Sequence, residues 1–325
     1  MDLVRLQSDS KHRLPFYLAM EEYLARNYND REFFFMWQVD PTVIVGRNQM
    51  IEKEVNVEYC RDNNVDICRR KSGGGAVVAD MNNIMFSYIT SSDDVATTFS
   101  HYTSSVVRAL RLLGLDASDT SRNDVLIADR KVSGNSYYHI PGRSIVHGTM
   151  LYDFDVDRMT NALCPSTKKL SSHGVASTRS RVTTIREHLP NLSIEEFKRH
   201  IIDTMIDDET LILDDEAIKE IQHIESEYYA SQWLAGKNPK GSVNVSERID
   251  GVGEIAVSLS VNRGKITSLT INGDFLETTD AEAEISGILQ GVDYDRDAVR
   301  SALESLQLGR IIPGLTVEAF VNILF

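Results

Sequence analysis

Three consecutive glycines, Gly73, Gly74 and Gly75, follow Arg69-Arg70-Lys71-Ser72 and precede Ala76-Val77-Val78; no other stretch restricts the fold as tightly. Glycine reaches φ > 0 and lets other groups approach the main chain, at a cost of about 0.5–1 kcal/mol each relative to Ala in regular structure. A Walker A loop would need a Gly-Lys-Ser/Thr ending, and a dinucleotide fingerprint starting at Gly73 would need glycine where Val78 stands, so both are rejected. Before the triplet, Val65-Asp66-Ile67-Cys68-Arg69 alternates as a half-buried strand; after it, Ile84 to Ile89 reads as a more deeply buried one. The glycines therefore join two strands. That fits an anion held by a backbone nest with cations beside it; a glycine-rich hairpin next to a basic surface patch is the other reading.

Composition narrows the partners. The 325 residues are 42% hydrophobic and 25% charged, typical of a globular protein and long enough for two domains. No apolar run approaches the roughly 18 residues of a membrane span, and the start Met1 to Ser8 lacks the basic and apolar parts of a signal peptide. A cytoplasmic protein with no membrane partner is expected. Cys60, Cys68 and Cys164 are too scattered for a disulfide framework or a Cys-x-x-Cys metal site. The net charge of −14 disfavours nucleic acid, which requires a basic footprint. Charge is uneven, however: Thr120 to Glu187 carries ten Lys/Arg against six Asp/Glu, and Glu247 to Phe325 six against thirteen. A basic central segment suits an anionic small ligand.

Hydrophobic spacing predicts a helix over Phe16–Tyr28, a buried strand over Thr42–Gly46 and a helix over Phe99–Leu113 closed by Gly114. Ser193 and Glu196 predict a capping box opening another helix, and a further helix is expected from about Glu216 to Ala235. Lys237 to Ser242 is the best linker. Beyond it, Glu254–Val261 and Lys265–Ile271 alternate in period two across Asn262-Arg263-Gly264, followed by helices from about Asp280, Arg296 and Val317. The expected division is a domain over 1–240 and a small α+β module over 245–325.

A second constellation follows about fifty residues after the glycines. Val125 to Ala128 is strand-like, Asp129-Arg130 reads as a tight turn, and Lys131 enters a second strand with Ser133 and Gly134 behind it. A lysine so placed projects from rigid framework, and its small neighbours leave room for a ligand.

Together, Arg70-x-Ser72-Gly73-Gly74-Gly75-Ala76-Val77, Asn123-Asp124, Lys131-Val132-Ser133-Gly134 and His147-Gly148-Thr149-x-Leu151 resemble the lipoate-protein ligase A family. Leu18-Ala19-Met20-Glu21-Glu22, Val45-Gly46-Arg47-Asn48-Gln49, Lys168-Lys169-Leu170 and Ser177-x-Arg179-Ser180-Arg181-Val182-Thr183 follow the same pattern, so the likeness spans nearly the whole chain. It implies an α+β fold of the biotin/lipoate ligase type, a mixed sheet flanked by helices, plus a small C-terminal accessory domain. It implies two half-reactions: lipoate and ATP give lipoyl-adenylate, and the lipoyl group then passes to a lysine of a lipoyl-carrier domain. The acceptors implied are the lipoyl domains of 2-oxoacid dehydrogenase E2 subunits and the glycine cleavage H protein. ATP and lipoate would be substrates, with Mg2+ as the ion and no tightly bound prosthetic group.

The resemblance also implies roles. Lys131 would be catalytic, bridging the acyl carbonyl and the phosphate. Arg70 would contact phosphate, with Arg69 and Lys71 weaker because neighbouring strand residues face opposite ways. The other adenylate-binding residues would be Ser72, Gly73, Gly74, Gly75, Ala76, Val77, Val78, Asn83, Asn123, Asp124, Ser133 and Gly134, with Asp124 also touching magnesium; an Asn-Asp turn is the plainer reading of 123–124. Arg47, His147 and Gly148 would line the lipoate pocket. Two departures stand out: Ala79 replaces the family's usual histidine before Asp80, and Asn82-Asn83 replaces Gly-Asn, which bears on lipoate versus octanoate preference. Two rivals remain. Octanoyl transferases share the fold and the lysine but use a cysteine near the place of Cys164, and a non-catalytic lipoyl or nucleotide binder is the third reading. Cys164-Pro165 lacks the glycine that follows the transferase cysteine.

Overall fold

The computed structural model describes residues 1–8, 11–92, 94–120, 123–153, 155–164, 181–206, 209–236 and 241–325. Lys168 to Leu170, Ser177 to Ser180 and linker residues 237–240 lie outside them. The chain forms two compact units: the first holds Met1–Ile44, Glu52–Arg69 and Val77–Leu234, the second Val45–Ile51, Arg70–Ala76 and Ala235–Phe325.

In the first unit, α1 spans Leu14–Asn27. Proline in its first turn presets the helical φ, and Leu14 to Ala25 are buried apart from Tyr17. An all-round buried helix must be covered on several sides; strands β6 (Asn83–Ile89) and β10 (Arg143–Leu151) and the helix Asp215–Tyr228 cover it. The main sheet has eight strands in the order β11-β1-β2-β6-β10-β9-β8-β7, where β1 is Asp2–Leu6, β2 Phe33–Trp37, β7 Ala117–Asp119, β8 Asp124–Ile127, β9 Arg130–Ile140 and β11 Thr210–Leu213. It is mixed, since β1 runs parallel to β2 and β11 while β6, β10, β9 and β8 alternate. A second sheet of three strands has the order β4-β3-β5, with β3 at Thr42–Val45, β4 at Asp66–Arg69 and β5 at Val77–Ala79. The glycine loop does join two strands, but the second is β5, a three-residue strand too short to show its period, rather than β6.

Helix α2 begins at Val95, earlier than spacing suggested, because the Asp94 side chain accepts from Thr97 N; it ends at Leu112 ahead of Gly114 at φ 81°. Helix α3 covers Val156–Ala162, and α4, Ile194–Met205, starts on the expected capping box. The single helix expected over 216–235 is two, α5 (Asp215–Tyr228) and α6 (Ser231–Ala235). Tertiary hydrogen bonds explain the break: the buried Arg69 guanidinium donates to the Trp233 and Leu234 carbonyls, and Trp233 Nε1 donates to the Arg69 carbonyl at 3.0 Å.

The second unit carries an antiparallel sheet of β12 (Val243–Ile249), β13 (Gly253–Asn262) and β14 (Lys265–Gly273), packed with α7 (Ala281–Leu289), α8 (Arg296–Leu303) and α9 (Val317–Leu324) around Ile255, Val257, Leu259, Phe275, Ile285 and Phe320. Arg263 and Gly264 both take positive φ, the two-residue turn whose twist matches paired strands.

Candidate active site

Strands β8 and β9 form a hairpin whose tip is Ala128-Asp129, at φ 47° and 61°, so the turn sits one residue earlier than Asp129-Arg130. Just past it, Lys131 is fixed on both edges: Leu126 pairs with it on one side, while Thr183 N donates to its carbonyl at 2.8 Å on the other. Its ammonium lies 2.7 Å from Asp124 Oδ1, both side chains being about one-third exposed. A Cβ on Gly134 would stand 2.6 Å from Lys131 Nζ. The room beside Gly134 therefore holds the lysine's own end.

Asn123 acts differently from Asp124. Its amide donates to the Asn135 carbonyl, and the Asn135 amide returns a bond to the Asn123 carbonyl, both at 3.0 Å, clamping the open end of the hairpin. Buried Ser133 donates to Asn135 Oδ1 at 3.2 Å. That oxygen approaches Gly148 so closely that a Cβ there would be 1.8 Å away; Gly148 is a packing necessity as it stands.

His147, on β10 opposite Ser87 of β6, is 5% exposed. Its Nδ1 is 2.9 Å from Glu21 Oε2; Ser87 Oγ donates to Glu21 Oε1 at 2.5 Å, and Trp37 Nε1 donates to Ser87 at 2.9 Å. Beside this chain, Tyr228 donates to the fully buried Glu22, which also pairs with Arg26 at 2.7 Å. Burial, then the charges of Glu21 and Glu22, hold the Tyr138 phenol well above its usual range. Sequence reasoning gave Glu21 no role. Its signal was two acids in a helix otherwise apolar enough to be enclosed.

The glycine loop belongs to the second unit. The three cations beside it have separate tasks: Arg69 docks α6 and is held below the usual arginine range by burial, while Arg70 is buried and donates to Ser72 Oγ at 3.0 Å, the Gly73 carbonyl at 2.5 Å and the Gly75 carbonyl at 2.9 Å. Lys71 is partly exposed. The guanidinium of Arg70 staples the loop it was expected to serve. The glycines divide as well. A Cβ on Gly73 would meet the Phe275 carbonyl at 2.5 Å; Gly74 has φ 88° and donates to that same carbonyl at 2.9 Å; a Cβ on Gly75 would meet nothing within 4 Å. Space beside the chain is thus open at Gly75; Ala76 and Val77 are partly exposed, and in β5 Val77 pairs with Ile44 and buried Val78 with Val43. Arg47, in the same unit, pairs with Asp280 at 2.8 Å and lies 3.5 Å from Glu277.

At the two departures, Ala79 is fully buried, and Asp80 accepts from Asn82 N at 2.9 Å and pairs with Arg158 of α3 at 2.9 Å. Asn83 is 1% exposed and opposite Leu151. Cys164 is exposed, and its amide donates to the Glu54 carbonyl at 2.9 Å. No cluster of three or more His, Cys, Asp or Glu able to hold a metal occurs among the described residues, and no helix among them is long and apolar enough to cross a membrane.

Residues 14–206 match the family described as lipoyl protein ligase A/B catalytic domain, and residues 238–324 match bacterial lipoate protein ligase C-terminus. The chain belongs to the lipoyl protein ligase family. It is similar to lipoate-protein ligase LplJ of Bacillus subtilis, 34% identical with 95% of this chain and 96% of that one covered. It is 37% identical to lipoate-protein ligase 1 of Staphylococcus aureus, covering 87% and 89%. Among solved structures, LipL1 of P. falciparum in complex with lipoate shares the fold at a TM-score of 0.80 and 20% identity, covering 99% and 97%. A bi-partite lipoate protein ligase from Thermoplasma acidophilum, described with its E2 lipoyl domain, gives 0.66 at 28% identity, covering 74% and 98%. Lipoate-protein ligase A bound with ATP gives 0.63 at 26%, covering 73% and 99%. The α+β fold with a mixed sheet and a C-terminal α+β part is therefore that of lipoate ligases.

Proposed function

We propose that this ligase activates lipoate with ATP to lipoyl-adenylate and then transfers the lipoyl group to a lysine of a lipoyl-carrier domain. The observation that carries this reading is Lys131, held on both edges of a hairpin with its ammonium on Asp124, in a chain of this family. In the first step a lipoate oxygen attacks the α-phosphorus and pyrophosphate leaves; in the second the acceptor amine attacks the acyl carbon and AMP leaves. Negative charge develops in both, and a preorganised cation stabilises it. Lys131 is given that role.

The backbone of Gly75, Ala76, Val77 and Val78 is proposed to contact the adenylate, Arg70 and Ser72 to hold the loop's shape, and Gly73 and Gly74 to permit it. Asn83 is assigned to the nucleotide, while Asn123 and Ser133 secure the hairpin. His147, Gly148 and Arg47 are assigned to lipoate. A lone half-buried carboxylate suits magnesium, which is bound chiefly through substrate phosphates with one or two protein carboxylates; Asp124 would touch it, and the ion would neutralise phosphate charge. Residues 1–240 are proposed as the catalytic domain and 245–325 as an accessory one. The acceptor class, lipoyl domains of 2-oxoacid dehydrogenase E2 subunits or the glycine cleavage H protein, is proposed from the family and from the relative described with its E2 lipoyl domain.

The test is to incubate the protein with lipoate, ATP, Mg2+ and an unmodified lipoyl domain and weigh the acceptor. A gain of one lipoyl group that requires ATP is expected. Transfer from octanoyl acyl carrier protein without ATP, abolished by Cys164→Ala, would replace this reading with a transferase; no transfer by either route would leave a binder.

A further inference from the structure

Side chains on a strand alternate between faces, so Lys131 and Gly134, three residues apart, should point oppositely. They do not: Nζ lies 2.6 Å from the position a Gly134 Cβ would take. The strand register explains this. Asp124 pairs with Gly134 and Val125 with Ser133, but Leu126 pairs with Lys131, leaving Val132 one residue in excess. An extra residue in one strand of an antiparallel pair is a bulge, and bulges re-aim side chains. Beyond it, Lys131 shares a face with Asp124 and Gly134.

We propose that the Val132 bulge and the bare α-carbon of Gly134 form the aiming device of Lys131, which makes Gly134 a positioning residue for the lysine and not a contact for nucleotide or lipoate. The bulge turns the side chain onto the Asp124 face, the missing Cβ gives the ammonium its seat, and the Asp124 carboxylate holds it there at 2.7 Å. The backbone cannot drift to compensate, because Leu126 and Val182-Thr183 hold Lys131 on its two edges. In Gly134→Ala the methyl meets the far end of a flexible side chain, so the lysine moves while the strand stays. The catalytic part of this inference rests on the ligase reading above; the seating of Nζ does not.

A double-mutant cycle in the full-length chain, read by the lipoylation assay, tests it. Gly134→Ala is expected to lower turnover about a hundredfold, the scale of a misplacement near 1 Å, with its melting transition retained. Placed on Lys131→Ala, the same change should cost nothing further, because its effect runs through the lysine. Equal losses in both backgrounds, or failure of Lys131→Ala/Gly134→Ala to fold, would show that the glycine serves the backbone and would overturn the proposal. A second readout is independent of catalysis: reductive methylation followed by peptide mass analysis should find Lys131 labelled faster in Gly134→Ala than in the unaltered chain. Unchanged labelling sinks the aiming device even if lipoylation is strong, and changed labelling upholds the seating even if the unaltered chain lipoylates nothing.

Discussion

At the scale of single residues, two buried or half-buried charges govern the first unit. Lys131→Ala is expected to reduce lipoylation by about a hundredfold or more, the scale for losing one preorganised donor of charge stabilisation, and turnover per active chain measures it. Glu21→Ala should leave the Ser87 hydroxyl and the His147 ring without their acceptor. With about 1–3 kcal/mol lost for each orphaned buried group, a destabilisation on the order of 3 kcal/mol should appear in urea unfolding, and Glu21→Gln, which keeps an acceptor oxygen, should lose less. These residues differ in how far sequence exposes them. Lys131 was legible because a turn, a strand and small neighbours surround it. Glu21 was not, because a carboxylate in a helix looks like solvent-facing charge until the helix is seen to be enclosed on several sides. For Arg70, expected to contact phosphate, chain order shows a cation beside glycines but not the loop carbonyls that it reaches.

Among the elements, α4 and the β8–β9 hairpin carry sharp expectations. In α4 the Ser193 hydroxyl, then its backbone N–H, hold the Glu196 carboxyl below its ordinary 4.5. A carboxylate whose folded value is depressed contributes stability above the unfolded value, and that stability is lost as pH falls through the folded one. The protection factors of the amides at 194–197 should therefore fall below about pH 4.5, and Ser193→Ala, at a cost near 1 kcal/mol for a lost cap, should shrink that acid step to the part the backbone N–H supplies. At the hairpin tip, Ala128 holds φ 47°, where an L side chain is strained by roughly 1–2 kcal/mol. Ala128→Gly should raise the melting midpoint unless unfolded-chain entropy cancels the relief; a lowered midpoint would refute the strain. Capping residues and turn residues act within a few positions of themselves, which is why the start of α4 and the β13–β14 turn were readable. The split between α5 and α6 was not, because Arg69 imposes it from 164 residues away in the chain.

For the molecule as a whole, the second unit gathers Val45–Ile51 and Arg70–Ala76 with the C-terminal residues, through Gly74 on Phe275, Gly273 on Asn48 and Arg47 on Asp280. A chain ending at Lys240 would strip those partners from the glycine loop. Limited proteolysis should then cut within 70–76 faster than in the full chain; equal rates would mean that the loop is held by its own Arg70 staple alone. The amino-acid sequence by itself determined that this is a lipoate-ligase chain with a glycine loop, a lysine on a hairpin and an alternating C-terminal module, because local spacing and motif order survive in one dimension. Only the tertiary structure decided what each of those parts touches. The bulge that turns Lys131 over Gly134, the Phe275 carbonyl that occupies two of three glycines and the buried acceptor Glu21 all depend on register and long-range approach, which no local pattern encodes.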